Sequence, residues 1–131
     1  MSMGNEELIA SFVAEANESL ATIENDFLAM EAAGAAIDGD LVNKVFRAIH
    51  SIKGTCGFLG FKTIGALAHE MENALNLIRN RELVPTPAVV DALLKGADAL
   101  RDMVNHIDTS GETDICGHVQ ALTAAVSAQA A

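Results

Sequence analysis

One of the four histidines, His50, lies among residues that could support chemistry at its ring. Lys53 follows one helical turn later, and Gly54 comes directly after that lysine. A neutral imidazole is nucleophilic near neutral pH because its reference pKa is about 6.5. An ammonium group one turn away can attract phosphoryl oxygens, and a glycine leaves room for an approaching partner. The spacing therefore predicts a histidine that carries a group from one protein to another.

Two further candidates, His69 and Glu72, lie three residues apart on the next predicted helix. If the two helices form an antiparallel hairpin that turns near Gly60, His50 lies about ten residues before the turn, and the pair lies about nine to twelve residues after it. These side chains should then share a level with His50 and Lys53 and form one partly exposed cluster. A carboxylate that accepts one ring N–H would fix the tautomer and direct the other nitrogen outward.

Two glycines, Gly54 and Gly57, lie on the outward side of the same predicted helix. A glycine inside a helix costs roughly 1 kcal/mol relative to alanine. Clearance for an incoming active site would explain this cost, and close packing against a neighbouring helix would explain it equally well.

The formal charge of −10 excludes some classes of partner. A strongly acidic chain is poorly suited to bind nucleic acid or an anionic membrane surface. The charge is uneven, however, because residues 41–69 contain no Asp or Glu and carry half of the basic residues: Lys44, Arg47, Lys53 and Lys62. A locally positive face suits a phosphorylated group and an acidic protein partner.

The two cysteines, Cys56 and Cys116, match no metal or redox motif. Cys56 falls on an apolar helical stripe, which predicts a buried thiol. The sequence shows no secretory signal pattern and no apolar run long enough to span a bilayer. We therefore expect a cytoplasmic protein without direct membrane contact.

Apolar residues recur every three or four positions in five segments, which predicts five helices. Their ranges are about Asn5 to Ala33, Leu41 to about Leu59 with Asp40 as N-cap, about Thr63 to Asn80, Thr86-Pro87 to about Ile107, and about Asp114 to Ser127. Gly60 is the predicted C-cap of the second of these helices.

Short loops between four long helices predict an all-α fold, an up-down antiparallel four-helix bundle with an additional fifth helix at the C-terminal end. We expect one domain over residues 1–131, which by itself is a monomer. The Ala-rich end, residues 124–131, is expected to fray or to lead into a linker.

Two stretches closely resemble a known family. The run Phe46 to Phe61, with the letters FRAIHSIKGTCGFLGF, resembles the N-terminal histidine phosphotransfer (HPt) domain of the bacterial chemotaxis histidine kinase CheA. The run Leu67 to Leu75, LAHEMENAL, resembles the third helix of that domain. The resemblance extends over about the whole chain in the order and length of the helices. Cys56 occupies a position where the family has a small residue.

The resemblance implies that His50 is the phosphorylated residue, which receives the γ-phosphoryl group of ATP on its outer ring nitrogen. It further implies that Glu72 orients the ring, that His69 joins the hydrogen-bond network and that Lys53 lies beside the phosphate. The phosphoryl group would then pass to an aspartate of a CheY- or CheB-like response regulator receiver domain.

The sequence contains no Gly-rich nucleotide loop, and no acidic metal cluster is found near His50. We therefore expect no cofactor in this domain, with ATP and Mg²⁺ bound by a separate CheA-type kinase domain. The chain would serve as a substrate and relay for phosphate, with no kinase site of its own. Both an excised domain and a stand-alone carrier fit this sequence.

Two alternatives belong to other classes of function. His50, His69 and Glu72 are residue types that bind zinc, although their spacing fits neither carboxylate-bridged bundles nor the zincin motif. A phosphotransfer fold could also serve only as an interaction scaffold. The intact histidine and lysine argue against this second alternative.

Overall fold

The computed structural model describes residues 3–130 as a bundle of α-helices. The helices are α1 (Met3–Ala21), α2 (Ile23–Ala33), α3 (Gly39–Leu59), α4 (Lys62–Arg79), α5 (Pro87–Asn105) and α6 (Cys116–Ala130), with a short 3₁₀ helix at Ile107–Glu112. Within this described range no residue forms a β-strand. The predicted all-α class and helical bundle are confirmed.

Four helical segments surround the core. The consecutive helices α1 and α2 together form one of these segments, and α3, α4 and α5 form the other three. α3 packs against α4, α4 against α5, and α5 against both α1 and α2, which pack in turn against α3 and close the ring. α6 lies against α4 and α5. This is the side position that was predicted for the additional C-terminal helix.

The single first helix predicted from about Asn5 to Ala33 is wrong at one point, because Thr22 separates α1 from α2. The backbone of Thr22 has φ −104° and ψ −2°, which lies about 40° in each angle from the usual helical values of about −63° and −42°. A β-branched threonine is a weak helix former. The backbone hydrogen bond from the N–H of Asp26 to the carbonyl of Thr22 is kept at 3.1 Å, so the interruption is confined to one residue. The apolar stripe continues across the break from Leu20 to Ile23, and both residues are buried.

The ends of α3 are set by capping residues. The N-cap is Asp38, and not Asp40 as predicted: the Asp38 carboxylate accepts hydrogen bonds from the backbone N–H groups of Asp40 and Leu41 at 3.1 and 3.3 Å. Asp40 lies instead in the first turn, where a negative charge is favourable. The predicted C-cap Gly60 has a left-handed φ of 85°, which favours glycine.

The start of α5 was predicted correctly, and its end was not. Thr86 caps the helix by accepting from the N–H of Val89 at 3.4 Å, and Pro87 follows it. The helix ends at Asn105, short of the predicted Ile107, because the chain tightens there into the 3₁₀ helix. The buried Ser110 hydroxyl donates to the carbonyl of Ile107 at 3.0 Å and supports this tighter turn.

The last helix begins two residues later than predicted and ends later. The Asp114 carboxylate accepts from the N–H of Cys116 at 2.9 Å just ahead of α6. The segment expected to fray is helical as far as Ala130, and the Gln129 amide exchanges hydrogen bonds of 2.8 and 2.7 Å with the backbone of Val84. Ala131 lies outside the described residues, so a linker beyond α6 stays a prediction.

The core is apolar, with one charged side chain at its edge. The stripes predicted for α3 and α4 are at most 3% exposed: Val42, Val45, Ile49, Ile52, Cys56, Ile64, Leu67, Ala68, Met71, Leu75 and Ile78. Glu72 is also buried, at 8% exposure. A buried charge is costly unless it is paired, so the residues that contact Glu72 are candidates for a functional site. Among the described helices, none is both long and apolar enough to cross a membrane.

Candidate functional site

The hairpin of α3 and α4 places the candidate residues at one level. The two helices approach closely near their turn, where a Cβ on Gly65 would lie 3.4 Å from Cβ of Cys56. Further from the turn, Nδ1 of His50 forms a hydrogen bond with Oε2 of Glu72. Counting residues from the turn at Gly60 predicted that this histidine and this carboxylate lie at the same height in the hairpin. The structure brings them into contact.

Glu72 interacts with Lys53 as well as with His50. Nζ of Lys53 donates to Oε1 of Glu72 at 2.6 Å, so each carboxylate oxygen has one partner from α3. Burial pushes the pKa of Glu72 upward, but the hydrogen bonds and charges of Lys53 and His50 outweigh burial and lower the pKa below its usual value. Glu72 therefore remains an ionised acceptor at neutral pH.

An ionised carboxylate can only accept, so Nδ1 of His50 must carry the proton in this hydrogen bond. In the neutral ring this leaves the lone pair on Nε2, which is the nucleophilic nitrogen. The side chain of His50 is 59% exposed, whereas that of Glu72 is 10% exposed. The ring is therefore held from the inside and accessible from the outside.

Lys53 contacts the carboxylate that also holds His50. Its side chain is 30% exposed, and its ammonium group is engaged by Glu72 in this structure. It lies one turn from His50 on α3, so a role beside a phosphate stays a prediction.

His69 is on the same side of the hairpin but is not joined to the cluster. It is exposed and lines a shallow groove with Lys53, Gly57 and Lys62. Within residues 3–130, the side chain of His69 makes no hydrogen bond. His69 and Glu72 are three residues apart on α4, so their side chains point about 60° apart around the helix axis. This difference is enough to turn His69 away from the contact that Glu72 makes.

Gly54 and Gly57 face open space. A Cβ built on either residue would meet no atom within 4 Å. Close packing against a neighbouring helix, the alternative explanation for these glycines, is therefore wrong for this domain. The clearance lies beside His50 on its exposed side.

Two further residues beside His50, and a third further along α3, were not predicted as site residues. The Phe46 ring lies nearly parallel to the His50 ring, and Arg79 lies over Phe46. Phe58 is 78% exposed on the same helix, which is unusual for a large apolar side chain. The i, i+4 spacing of Phe46 and His50 indicates that their side chains are neighbours on one helix face. Nothing in the sequence linked Arg79 to them.

The metal-binding alternative finds little support in this geometry. His69 stands apart from the contact between His50 and Glu72. In the part of the chain that the structure describes, no three His, Cys, Asp or Glu side chains are grouped as metal ligands would be.

Comparison with known sequences identifies the family. The family model described as Hpt domain matches residues 7–110. The chain is 35% identical over 112 residues to the chemotaxis protein CheA of Rhizobium meliloti (strain 1021), covering 86% of this chain and 14% of that protein. It is 33% identical over 110 residues to the sensor histidine kinase CheAY of Helicobacter pylori (strain ATCC 700392 / 26695), covering 83% of this chain and 13% of that protein. The chain thus spans a small part of these curated relatives.

Solved structures match over nearly the whole chain. The solution structure of the histidine phosphotransfer domain of CheA matches with a TM-score of 0.78 and 31% identity, covering 94% of this chain and 92% of that chain. The phosphorylated P1 domain of CheA3 in complex with CheY6 from R. sphaeroides matches with a TM-score of 0.77 and 25% identity, covering 93% and 97%. The chain belongs to the Hpt domain family, and the domain is of the CheA type.

Proposed function

We propose that this chain is the histidine phosphotransfer domain of a chemotaxis two-component system, with His50 as the phosphoacceptor. The observation that carries the proposal is the hydrogen bond from Nδ1 of the exposed His50 ring to the buried, ionised Glu72. That contact leaves a nucleophilic Nε2 on the accessible side of α3. The relatives named as CheA, and the P1 domain solved with CheY6, support the chemotaxis assignment.

The chemistry follows from the tautomer. The Nε2 lone pair of His50 forms a bond to the γ-phosphorus of ATP, and the bond from that phosphorus to the bridging oxygen of ADP breaks. The ring keeps its proton on Nδ1 and becomes positively charged. The Glu72 carboxylate stabilises that charge through the hydrogen bond already in place. A separate CheA-type kinase domain provides ATP and Mg²⁺.

In the second step the phosphoryl group moves to a response regulator of the CheY or CheB kind. An aspartate oxygen of the receiver domain bonds to phosphorus, the P–N bond breaks, and its electron pair returns to Nε2 of His50. The imidazole is again neutral with its proton on Nδ1, ready for another cycle. The domain acts as a monomeric cytoplasmic carrier in this scheme and binds neither nucleic acid nor membrane.

The receiver docks, in this proposal, on the exposed face of α3 around His50. Gly54 and Gly57 leave clearance on this face, and Phe58 offers an apolar contact. Arg47 is exposed on the neighbouring side of α3, where it lines a groove with Glu15 and Glu18 of α1, and we include this side in the docking surface. Among the described residues, Arg47 has no acidic partner within salt-bridge distance. Charge reversal by Arg47→Glu should slow transfer to the receiver, with a larger effect at low salt. An unchanged rate would place the docking face elsewhere.

Phosphorylation of this chain by a CheA-type kinase domain with radiolabelled ATP tests the main proposal. The label should appear on the wild type, be lost in acid and be retained in alkali. The His50→Gln variant should take up no label. His106→Gln is the matched control, because His106 is an exposed histidine at the end of α5 and should be dispensable. Label that persists in His50→Gln would refute the proposal, and stable receiver binding without transfer would support a scaffold instead.

A further inference from the structure

The His50 ring has a second set of contacts, which involves the residue one turn before it on α3. Lys53, in contrast, lies about one turn after it. Phe46 precedes His50 by one turn of α3, and the two rings are 9° from parallel with centroids 5.8 Å apart. Arg79 is the last residue of α4, and its Cζ lies 4.1 Å from the centroid of the Phe46 ring. Nη2 of Arg79 donates to Oδ1 of Asn76 at 2.6 Å, which holds the guanidinium group over the ring.

These contacts supply a constraint that the hydrogen bond cannot supply alone. The bond to Glu72 holds one atom of the ring, Nδ1, but permits the ring plane to tilt about that point. A flat neighbour such as Phe46 restricts the tilt, because offset-stacked aromatic rings favour a parallel arrangement. Both constraints together determine the direction in which Nε2 points. Transfer of a phosphoryl group requires its attacking and leaving atoms to be nearly in line, so that direction matters for the rate.

We propose that Arg79 is a positioning residue for His50, acting through the ring of Phe46. This inference rests on the proposed function, because it assigns a role in phosphorylation of His50. The cation over the outer ring limits the motion of Phe46, and Phe46 limits the tilt of the imidazole. Arg79 touches neither His50 nor the phosphoryl group in this scheme. It couples the end of α4 to the reactive nitrogen on α3.

The matched pair Arg79→Gln and Arg81→Gln tests this role. Arg79 ends α4, and Arg81 lies just beyond it, so each variant removes one positive charge from this part of the chain. Only Arg79 lies over Phe46, and Arg81 is exposed. Two quantities are measured on the whole chain: the initial rate of His50 phosphorylation by the kinase domain, and the NMR signals of the His50 ring protons. Melting temperature serves as the check on folding. Phe46→Leu, which keeps an apolar side chain without a ring, is the second variant.

We expect Arg79→Gln to slow phosphorylation by about two- to five-fold, the rate equivalent of about 0.5–1 kcal/mol for an exposed cation–π contact. The His50 ring-proton signals should shift or broaden in this variant. Phe46→Leu should change the same signals more and slow phosphorylation at least as much. Arg81→Gln should leave both the rate and the ring signals at their wild-type values.

Two results would overturn the inference while leaving the proposed function intact. One is an Arg79→Gln variant that matches Arg81→Gln in rate and ring signals while the wild type is labelled on His50. The other is a slower rate with unchanged ring signals, which would assign Arg79 to partner docking or to stability. A wild-type chain that takes up no label would instead refute the proposed function, and the positioning role would fall with it.

Discussion

Replacement of Glu72 by glutamine changes the central contact of the site with almost no change in shape. The glutamine side chain is neutral, and its amide nitrogen is a donor. This nitrogen can donate to Nδ1 of His50 and so favour the opposite tautomer, with the proton on Nε2 where the phosphoryl group must bond. Lys53 can still donate to the remaining carbonyl oxygen. The variant therefore perturbs the tautomer while it keeps the hairpin contact.

The size of the effect follows from the kind of hydrogen bond that is lost. A hydrogen bond to a charged group contributes about 1.5–3 kcal/mol, and about 1.36 kcal/mol corresponds to a tenfold change in rate. We therefore expect Glu72→Gln to slow phosphorylation of His50 by about 10- to 100-fold. Residues that orient metal-bound histidines show losses of a similar size, about 10- to 100-fold.

The assay compares initial rates of phosphorylation at a fixed, saturating concentration of kinase domain. Glu70→Gln is the matched control, since Glu70 is also on α4 but lies in a groove beside α6, away from His50. Nitrogen-15 NMR of the His50 ring reports the tautomer directly. A Glu72→Gln rate within about twofold of the control, or a ring that keeps its proton on Nδ1, would refute the reasoning.

Three other predictions concern stability and reactivity. Gly54→Ala should raise the free energy of unfolding by up to about 1 kcal/mol, because alanine favours a helix and the added methyl meets no atom. The same methyl should slow transfer to the receiver, because it fills the clearance beside His50. Denaturant unfolding measures the first effect, and transfer rates measure the second. The pKa of Glu72 is lower in the folded state, so its stabilising effect is present above the ordinary glutamate pKa of about 4.3 and is lost as the pH falls through the lower folded-state value. Urea unfolding should therefore show a smaller loss of stability on acidification for Glu72→Gln than for the wild type, and equal losses would contradict this. Burial raises the pKa of the Cys56 thiol to about 12, and the hydrogen bond to Asp114 raises the pKa of the Cys116 thiol as well, so exposure is what separates the two cysteines. A thiol reagent should label the exposed Cys116 in the native protein and Cys56 only after unfolding, and equally rapid labelling of both thiols would contradict this burial.

The contact between α3 and α4 could be predicted because it depends on regular geometry. Apolar residues at helical spacing identified the buried stripes, and Gly60 identified the turn, so counting from it placed His50 opposite Glu72. The break at Thr22 could not be predicted, because a single threonine is compatible with a helix and the apolar stripe continues across it from Leu20 to Ile23. The 3₁₀ helix after α5 was missed because a local side-chain hydrogen bond of Ser110 supports it.

The side-chain contacts across helices were less predictable than the helices. A hydrogen bond of His69 within the cluster was implied by the resemblance, but its direction on α4 differs from that of Glu72, and the structure leaves it exposed. Arg79 at the end of α4 contacts Phe46 on α3, and no spacing rule within one helix contains that contact. Sequence patterns predict how far along a helix a residue lies and which face of the helix it is on. The rotamer of each side chain, and so its contact partner, depends on how the two helices pack.

The burial of Glu72 explains why the site works as a unit. A carboxylate at this depth would be costly to ionise alone, and it remains ionised because Lys53 and His50 each contact one of its oxygens. The charge on Glu72 in turn fixes the proton on Nδ1 of His50 and, in the proposed mechanism, compensates the positive ring that forms on phosphorylation. We infer that Lys53 acts on the reactive nitrogen even without touching the phosphoryl group, because it maintains the charge state of the residue that sets the tautomer. Loss of Lys53 and loss of Glu72 should for that reason produce related defects, with the carboxylate as their common cause.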